Sequence, residues 1–186
     1  GIRTHPDSGR EKLNIDVMRP NLSYVSLSGE VLEQVELPDD LHKNSIRHLA
    51  LAPDGQVAFA MQWQGEPGDG VPLLGLHRRG EEPILAEADL AEQIAMQGYA
   101  GSVAFAADGG AVGITSPRGG RLHLFDSKGA FLASHRRADV CGLAPGRGGL
   151  VATDGLGGIL SLQEATLSRL TTASRAWDNH LVAIDA

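Results

Sequence analysis

One repeating pattern constrains the fold of this chain more than any other feature of its sequence. An apolar run, a tight turn and a second apolar run occur in residues 46–61 (IRHLALAPDGQVAFAM) and again in residues 101–115 (GSVAFAADGGAVGIT). A looser copy occupies residues 140–154, and a half copy occupies residues 178–186. Repeats of about 40–50 residues that are built from short strands are typical of β-propeller blades. The sequence therefore predicts a propeller.

Each full repeat is predicted to contain four strands, a to d, in chain order. Asp54-Gly55 and Asp108-Gly109 separate apolar runs and indicate hairpins, since glycine adopts positive φ without steric cost. Strands a and b are apolar on both faces, which is typical of strands packed between neighbouring sheets. We therefore expect an all-β chain, a propeller fragment of four-stranded antiparallel blades that resembles WD or YVTN repeats.

The repeat boundaries predict how the 186 residues are organised within a single propeller portion. The expected units are an outer hairpin of a partial blade (1–40), three blades (45–98, 99–137 and 138–174) and a closing inner strand (175–186, with its core over 177–184). A short helix is expected within 87–97. Both ends of the chain fall inside a repeat and would leave unpaired strand edges. The expected partner is an amino-terminal half of the same propeller, with a second copy of this chain as the alternative.

Composition limits the classes of partner. The chain has 16 Lys and Arg, 23 Asp and Glu and a formal net charge of −7, which disfavours binding to a nucleic-acid backbone. No apolar run approaches the ~20 residues that span a bilayer. The single cysteine, Cys141, excludes an internal disulfide and is expected to be a small core residue. We predict neither a nucleic-acid partner nor a membrane span.

Strand order also sorts the loops. The short a–b and c–d turns share one face of a propeller, here the short-turn face, and the b–c and d–a loops share the other, the long-loop face, where a site is expected. Residues 4–14 (THPDSGREKLN) form either a ligand-contacting loop, through His5, Asp7, Arg10 and Asn14, or a turn with solvated side chains. Arg118, in SPRGGR, could bind a carboxylate or phosphate or simply point outward from a tight turn.

Two histidines occupy the same place in different repeats. His48 and His180 each precede an aligned leucine, and Ser102 and Val140 take that place in the other two units. Because strand a lines a propeller channel, both imidazoles could approach the axis. With Asp139 or Asp178 nearby they could hold a transition metal, which would need at least three ligands. The alternative is that each histidine binds the backbone of a neighbouring blade.

Several longer motifs resemble one bacterial family, domain of unknown function 1513. The similarity lies in THPDSGREKLN, LHKNSIRHLA, TSPRGGRLHLFD, DVCGLA and the closing WDNHL. The resemblance implies a seven-bladed propeller about twice as long as this chain, exported to the periplasm by the twin-arginine route. Such proteins are often encoded beside imelysin-like iron-uptake proteins and di-haem oxidoreductases. This chain is similar to the carboxy-terminal half of the family.

The resemblance and the repeat topology point to one set of residues on the long-loop face and in the channel. The residues that match the family motifs are His5, Pro6, Asp7, Arg10, Asn14, His42, Ser45, Arg47, His48, Arg118, Asp139, Cys141, Asp178, Asn179 and His180.

Three functions are compatible with this set of residues. We expect a non-enzymatic periplasmic binding or scaffold module of an iron-uptake or redox system, which holds a partner protein, a metal or a small anion. The alternative is a metal-dependent hydrolase or lactonase with its site around His48, Asp178 and His180. In a third interpretation, these side chains only fasten the blades together.

Overall fold

The computed structural model describes residues 2–9 and 11–184, which form fourteen strands and one short α-helix. An outer hairpin comprises β1 (Asn21–Val25) and β2 (Val31–Glu36). Blade I comprises β3 (Asn44–Leu51), β4 (Val57–Trp63), β5 (Leu74–His77) and β6 (Ile84–Ala86), and helix α1 (Leu90–Ala95) follows it. Blade II comprises β7 (Ser102–Phe105), β8 (Ala111–Ser116), β9 (Arg121–Asp126) and β10 (Phe131–Arg136). Blade III comprises β11 (Val140–Gly146), β12 (Gly149–Asp154), β13 (Gly158–Gln163) and β14 (Thr166–Thr172).

In each blade the strands lie side by side in chain order, and each pair of neighbours is antiparallel. This up-and-down order is that of propeller blades, with the first strand innermost. The a–b hairpins close as the sequence predicts. In blade I, Gly55 has φ of +88°, and the Ala52 N–H donates to the Gln56 carbonyl over 2.8 Å. None of the described helices is long and apolar enough to cross a membrane.

Apolar side chains pack between consecutive sheets and hold them together. Leu74, Leu76 and Phe105 belong to the core between blades I and II, and Leu122 and Leu143 belong to the core between blades II and III. All five side chains are buried. Burial of a side chain of this size contributes about 1.5–3 kcal/mol, so these interfaces fix the relative positions of the blades.

The outer hairpin packs on blade I in the same way. Leu22 of β1 joins a buried cluster with Phe59 and Met61 of β4. A polar link completes the contact, because the Tyr24 hydroxyl lies 2.7 Å from Nδ1 of the buried His77. The hairpin therefore occupies the place of outer strands in a blade that precedes blade I.

Two features at the margins differ from the sequence prediction. One face of β3 is uncovered: Leu49 is 58% exposed and Leu51 is 71% exposed. The outer hairpin packs mainly on β4, and Ile46 at the start of β3 joins that cluster, whereas Leu49 and Leu51 do not. The predicted strand over 177–184 is reduced to one isolated bridge, between His180 and Leu143, because the segment runs parallel to β11 with no ladder of further pairs.

Candidate functional site

Four inner segments lie side by side and line the channel: β3, β7, β11 and residues 177–184. β7 lies between β3 and β11. The Leu143 N–H of β11 donates to Ser102 Oγ of β7 over 3.2 Å. Leu143 also forms the parallel bridge with His180. These contacts place residues from distant repeats at one level of the channel.

His48 and His180 meet at this level. Their ring centroids are 5.2 Å apart and the ring planes are inclined by 55°. Burial lowers the pKa of His48 below its ordinary value, and the neighbouring His180 and Arg47 lower it further. An imidazole with a lowered pKa is more readily neutral, and only the neutral ring can ligate a metal.

Two β-bulges change which side chains face the channel. In β3, pairing with β4 shifts between Ile46 and His48, so Arg47 is the extra residue of a bulge and its side chain is exposed. In β11, Cys141 and Gly142 together stand opposite Thr153. Leu143, three residues after the predicted Val140, forms the bridge with His180 and so occupies the histidine level in blade III. The bulge accounts for one of these three residues, and the repeat alignment could not foresee it, because a bulge adds a residue without changing the apolar pattern.

The second bulge also explains the surroundings of Cys141. The thiol is 3% exposed and lies 3.4 Å from the carbonyl oxygens of both Thr153 and Trp177. Burial raises the pKa of this thiol. Cys141 is thus a buried residue that connects β11 to the closing segment.

The long-loop mouth of the channel contains a cluster built around Tyr99. The guanidinium of Arg118 lies over the Tyr99 ring, 4.4 Å from its centroid. Asn179 Nδ2 is 3.5 Å from the Tyr99 hydroxyl, at the outer limit of a hydrogen bond. Tyr99 also forms an isolated antiparallel bridge with Gln62, at the end of β4. We call Tyr99, Arg118 and Asn179 the mouth cluster.

The loop that carries Arg118 is fixed by contacts with the end of α1. Ser116 Oγ donates to the Met96 carbonyl over 2.8 Å and accepts the Gly119 N–H at 3.0 Å. A Cβ on Gly119 would lie 2.1 Å from the Ala95 carbonyl oxygen, so only glycine allows this close approach. Arg118 is thereby held on a loop anchored at both sides.

Sequence reasoning missed Tyr99. The chain is only 4% aromatic, and Tyr99 lies directly before an inner strand, in a long d–a loop. The signal that could have identified Tyr99 was its position, since an aromatic residue in this loop lies at the entrance of the predicted channel.

Asp139 and Asp178 lie in loops beside the channel segments but do not join the histidines as a metal site. Asp139 has φ of +53°, and its carbonyl accepts the Gly155 N–H at 3.0 Å. Asp178 Oδ1 accepts the Asn179 N–H at 2.7 Å. Within residues 2–9 and 11–184, no three His, Cys, Asp or Glu side chains come close enough to hold a metal ion. A metal on the histidine pair would need further ligands.

The predicted residues of the amino-terminal segment and of the loop before β3 are engaged locally. His5 Nδ1 accepts the Asp7 N–H at 3.2 Å, and Asn14 Oδ1 accepts the Arg3 N–H at 2.6 Å. The His42 ring lies 2.8 Å from the Asp39 carbonyl oxygen. The contacts of His5 and His42 are typical of turns, and that of Asn14 joins two parts of the amino-terminal segment. None of these three contacts reaches the mouth cluster. Arg10 lies outside the described residues.

Two apolar cavities lie toward the short-turn face. One, of about 540 Å³, occupies that end of the channel and is lined in part by Leu51, Phe105 and Val182. The other, of about 690 Å³, lies between blades II and III, against Leu132 and Leu162. The histidine pair separates the first cavity from the mouth cluster, so the channel is polar at the long-loop end and apolar at the other.

The blades, their order and the channel define the class of protein: the chain is a β-propeller protein. More particularly, residues 1–184 match the family described as Protein of unknown function (DUF1513), and the chain belongs to this family. The predicted family and the predicted all-β propeller fold are both confirmed. No curated protein shows significant sequence similarity to the chain.

Solved propeller structures superimpose on most of the chain. The structure of a catalytically inactive virginiamycin B lyase from Staphylococcus aureus with quinupristin is similar with a TM-score of 0.57 and 13% identity, over 91% of this chain and 54% of that one. A streptogramin B lyase gives 0.58 and 12%, over 83% and 48%. The WD40 repeats of RRP9 give 0.56 and 14%, over 89% and 51%. The chain thus spans about half the length of these proteins, and the likeness concerns the fold alone.

Proposed function

We propose that this propeller is a binding or scaffold protein that holds its ligand or partner at the long-loop mouth of the channel. The observation that carries the proposal is the mouth cluster itself. Arg118 and Asn179, which come from two other segments of the chain, both contact Tyr99. Polar groups on anchored loops, above an apolar channel, are typical of a recognition site.

Family membership supports a proposal for the location and the partner. We propose a periplasmic protein whose partner is an imelysin-like or redox protein, because the family resemblance carries this context. The exposed apolar face of β3 and the exposed Val182 and Ile184 support a second contact. We propose that these surfaces are covered by further blades of the same propeller or, alternatively, by a second copy of the chain.

A metal-dependent hydrolase or lactonase is the second candidate. The observation in its favour is the 5.2 Å approach of the His48 and His180 rings. Asp178 and further ligands would have to join them to hold a metal.

Site-specific cross-linking tests the scaffold function. A photo-reactive amino acid in place of Asn179 at the mouth is compared with the same residue in place of Arg147, on the short-turn face, in cells that express the protein with its genomic neighbours. A cross-link to an imelysin-like or redox protein from position 179 but not from position 147 supports the scaffold function. Equal labelling of such a protein from both positions, or from neither, contradicts it.

Metal analysis of the purified protein tests the proposed hydrolase function. A stoichiometric transition metal that is lost in His48→Gln and His180→Gln supports the hydrolase. The proteins are first incubated with zinc, manganese and iron salts. If the wild type binds no metal, or if the variants bind as much metal as the wild type, the hydrolase is contradicted.

A further inference from the structure

We infer that the mouth cluster recognises a carboxylate group and that Arg118 is the residue that binds it. This inference rests on the proposed binding function and names the chemistry of its ligand. It draws on the geometry of Arg118, on the groups around it and on the charges nearby.

The guanidinium of Arg118 is oriented and has unused donors. Its face is taken by the Tyr99 ring at 4.4 Å. Stacking of this kind leaves the N–H groups at the edge of the plane free to form the two parallel hydrogen bonds that a carboxylate accepts. In the described part of the chain, no carboxylate lies within 4.0 Å of Arg118, so its charge is open to an incoming carboxylate, as it also is at other arginines such as Arg147.

The position of Arg118 is largely set before any ligand arrives. Ser116 and Gly119 attach its loop to the end of α1, and the aromatic ring limits the side chain. An arginine that is already ordered loses less conformational entropy on binding. This makes the contact with a carboxylate stronger than one formed by a freely rotating surface arginine.

Neutral donors lie beside the guanidinium. The Tyr99 hydroxyl and the Asn179 amide face each other at 3.5 Å, so their weak mutual contact can be exchanged for contacts with a ligand. Asp178, which precedes Asn179 in the chain, brings a negative charge close to this pair, and its Oδ1 accepts the Asn179 N–H. One planar cation with neutral donors suits a carboxylate better than a phosphate dianion, which usually binds several cations or a nest of backbone N–H groups.

Citrate is a suitable probe, and the two tryptophans of the chain report on its binding. The backbone N–H of Trp63 donates to the Gly98 carbonyl at 2.8 Å, one residue before Tyr99, and Trp177 lies two residues before Asn179. We expect a saturable change of tryptophan fluorescence on titration with citrate at low ionic strength. The trimethyl ester of citrate, which has the same skeleton without the charges, should give none.

Variants locate the binding site. Arg118→Gln should weaken citrate binding by about tenfold or more, since a hydrogen-bonded charged contact is worth about 1.5–3 kcal/mol. Arg118→Lys keeps the charge but loses the planar arrangement of N–H donors. Its affinity for citrate should lie between those of Arg118→Gln and the wild type. Arg147→Gln removes the same charge on the short-turn face and should leave the affinity unchanged. Asp178→Asn removes a repelling charge and should tighten binding.

The inference is wrong if the wild-type protein shows no saturable response to citrate, or if Arg118→Gln and Arg147→Gln have equal effects while both retain the wild-type circular dichroism spectrum. Either result leaves the proposed scaffold function intact, because the cross-linking from position 179 reads out a partner and not a carboxylate. If citrate binding is retained but no cross-link forms from position 179, the carboxylate site is supported and the scaffold function is contradicted.

Discussion

The imidazole rings of His48 and His180 lie 5.2 Å apart, although one is on the first inner strand and the other on the closing segment. Residues from β7 and β11 lie between them along the chain and stand beside them in space. The pair therefore marks the level at which all four inner segments meet. It divides the polar mouth from the apolar end of the channel.

The lowered pKa of His48 predicts an acid-sensitive contribution to stability. Burial, then His180 and Arg47, hold the pKa below its ordinary value of 6.5. The unfolded chain thus binds the proton more readily, so stability is lost as pH falls from about 6.5 toward the folded-state pKa. Between pH of about 7.5 and 5.5, the melting temperature of His48→Gln should fall less than that of the wild type. His5→Gln, at an exposed site, should keep the wild-type difference, and identical pH profiles for all three proteins would contradict the prediction.

A glutamate network should stabilise the contact between α1 and blade II. Glu92 Oε2 accepts the Ser134 hydroxyl at 2.6 Å and lies 3.2 Å from Nε2 of His123, which is 2% exposed. Glu92→Ala leaves this buried ring nitrogen without its partner, which costs about 1–3 kcal/mol. Urea unfolding should show the loss. Glu87→Ala, which removes an exposed carboxylate from the same loop, should have little effect.

The pKa of Glu92 gives that network a pH dependence. The hydrogen bond from Ser134 lowers the pKa most, burial opposes it, and His123 lowers it further. The stabilisation is therefore complete above the ordinary value of 4.5 and is lost as pH falls below it. A Glu92→Ala variant as stable as the wild type at neutral pH would show that the network contributes nothing.

Two aspartate–arginine pairs should differ strongly in their contribution to stability. Asp154 is fully buried, and its carboxylate accepts the Arg137 Nε–H at 2.6 Å as well as the N–H groups of Leu156 and Gly158. Burial raises the pKa of Asp154, but these hydrogen bonds outweigh it and the pKa is lowered. Asp154→Ala should cost about 3 kcal/mol or more in the free energy of unfolding.

The matched control for Asp154 is the exposed pair of Arg19 and Asp39, 2.7 Å apart. Asp39→Ala should cost less than about 1 kcal/mol, since solvent screens the pair. Similar losses in the two variants, measured by urea unfolding, would refute the distinction.

Gly119 should be intolerant of any side chain. A Cβ at this position would lie 2.1 Å from the Ala95 carbonyl oxygen, which is backbone and cannot move aside freely. We expect Gly119→Ala to reduce the free energy of unfolding by about 1–3 kcal/mol. Gly68→Ala is the control, because nothing lies within 4 Å of the added carbon. Equal urea midpoints for the two variants would show that the loop adapts.

The strands follow closely from local sequence signals. β3 and β4 form the hairpin predicted around 46–61, β7 and β8 form the one predicted around 101–115, and α1 lies inside the predicted 87–97 segment. Apolar runs and Asp-Gly turns act over a few residues, so their effect is visible in the chain itself. Strand order alone also put His48 and His180 on inner segments, whereas the 5.2 Å approach of their rings is a finding of the tertiary structure.

The mouth cluster and the bulges are different in kind. The stacking of Arg118 on Tyr99 joins two loops of blade II, and Asn179 reaches them from the closing segment. No local pattern encodes such contacts, since they depend on how far neighbouring blades rotate and how their loops pack. The bulge at Cys141 and Gly142 likewise depends on pairing with β12, and the bridge of Leu143 with His180 depends on how the closing segment packs on β11.

The sequence by itself thus determined the repeat, the hairpins and the assignment of loops to two faces, because these arise from short-range periodicity and strand order. The family was identified from the resemblance of longer motifs. Only the tertiary structure decided which side chains share the channel. It grouped Arg118 and Asn179 with Tyr99, gave His5, Asn14 and His42 partners within their own segments, and gave the histidine pair no third ligand among the described residues. Those outcomes depend on packing between blades, where a contact is set by distance in space and not by spacing along the chain.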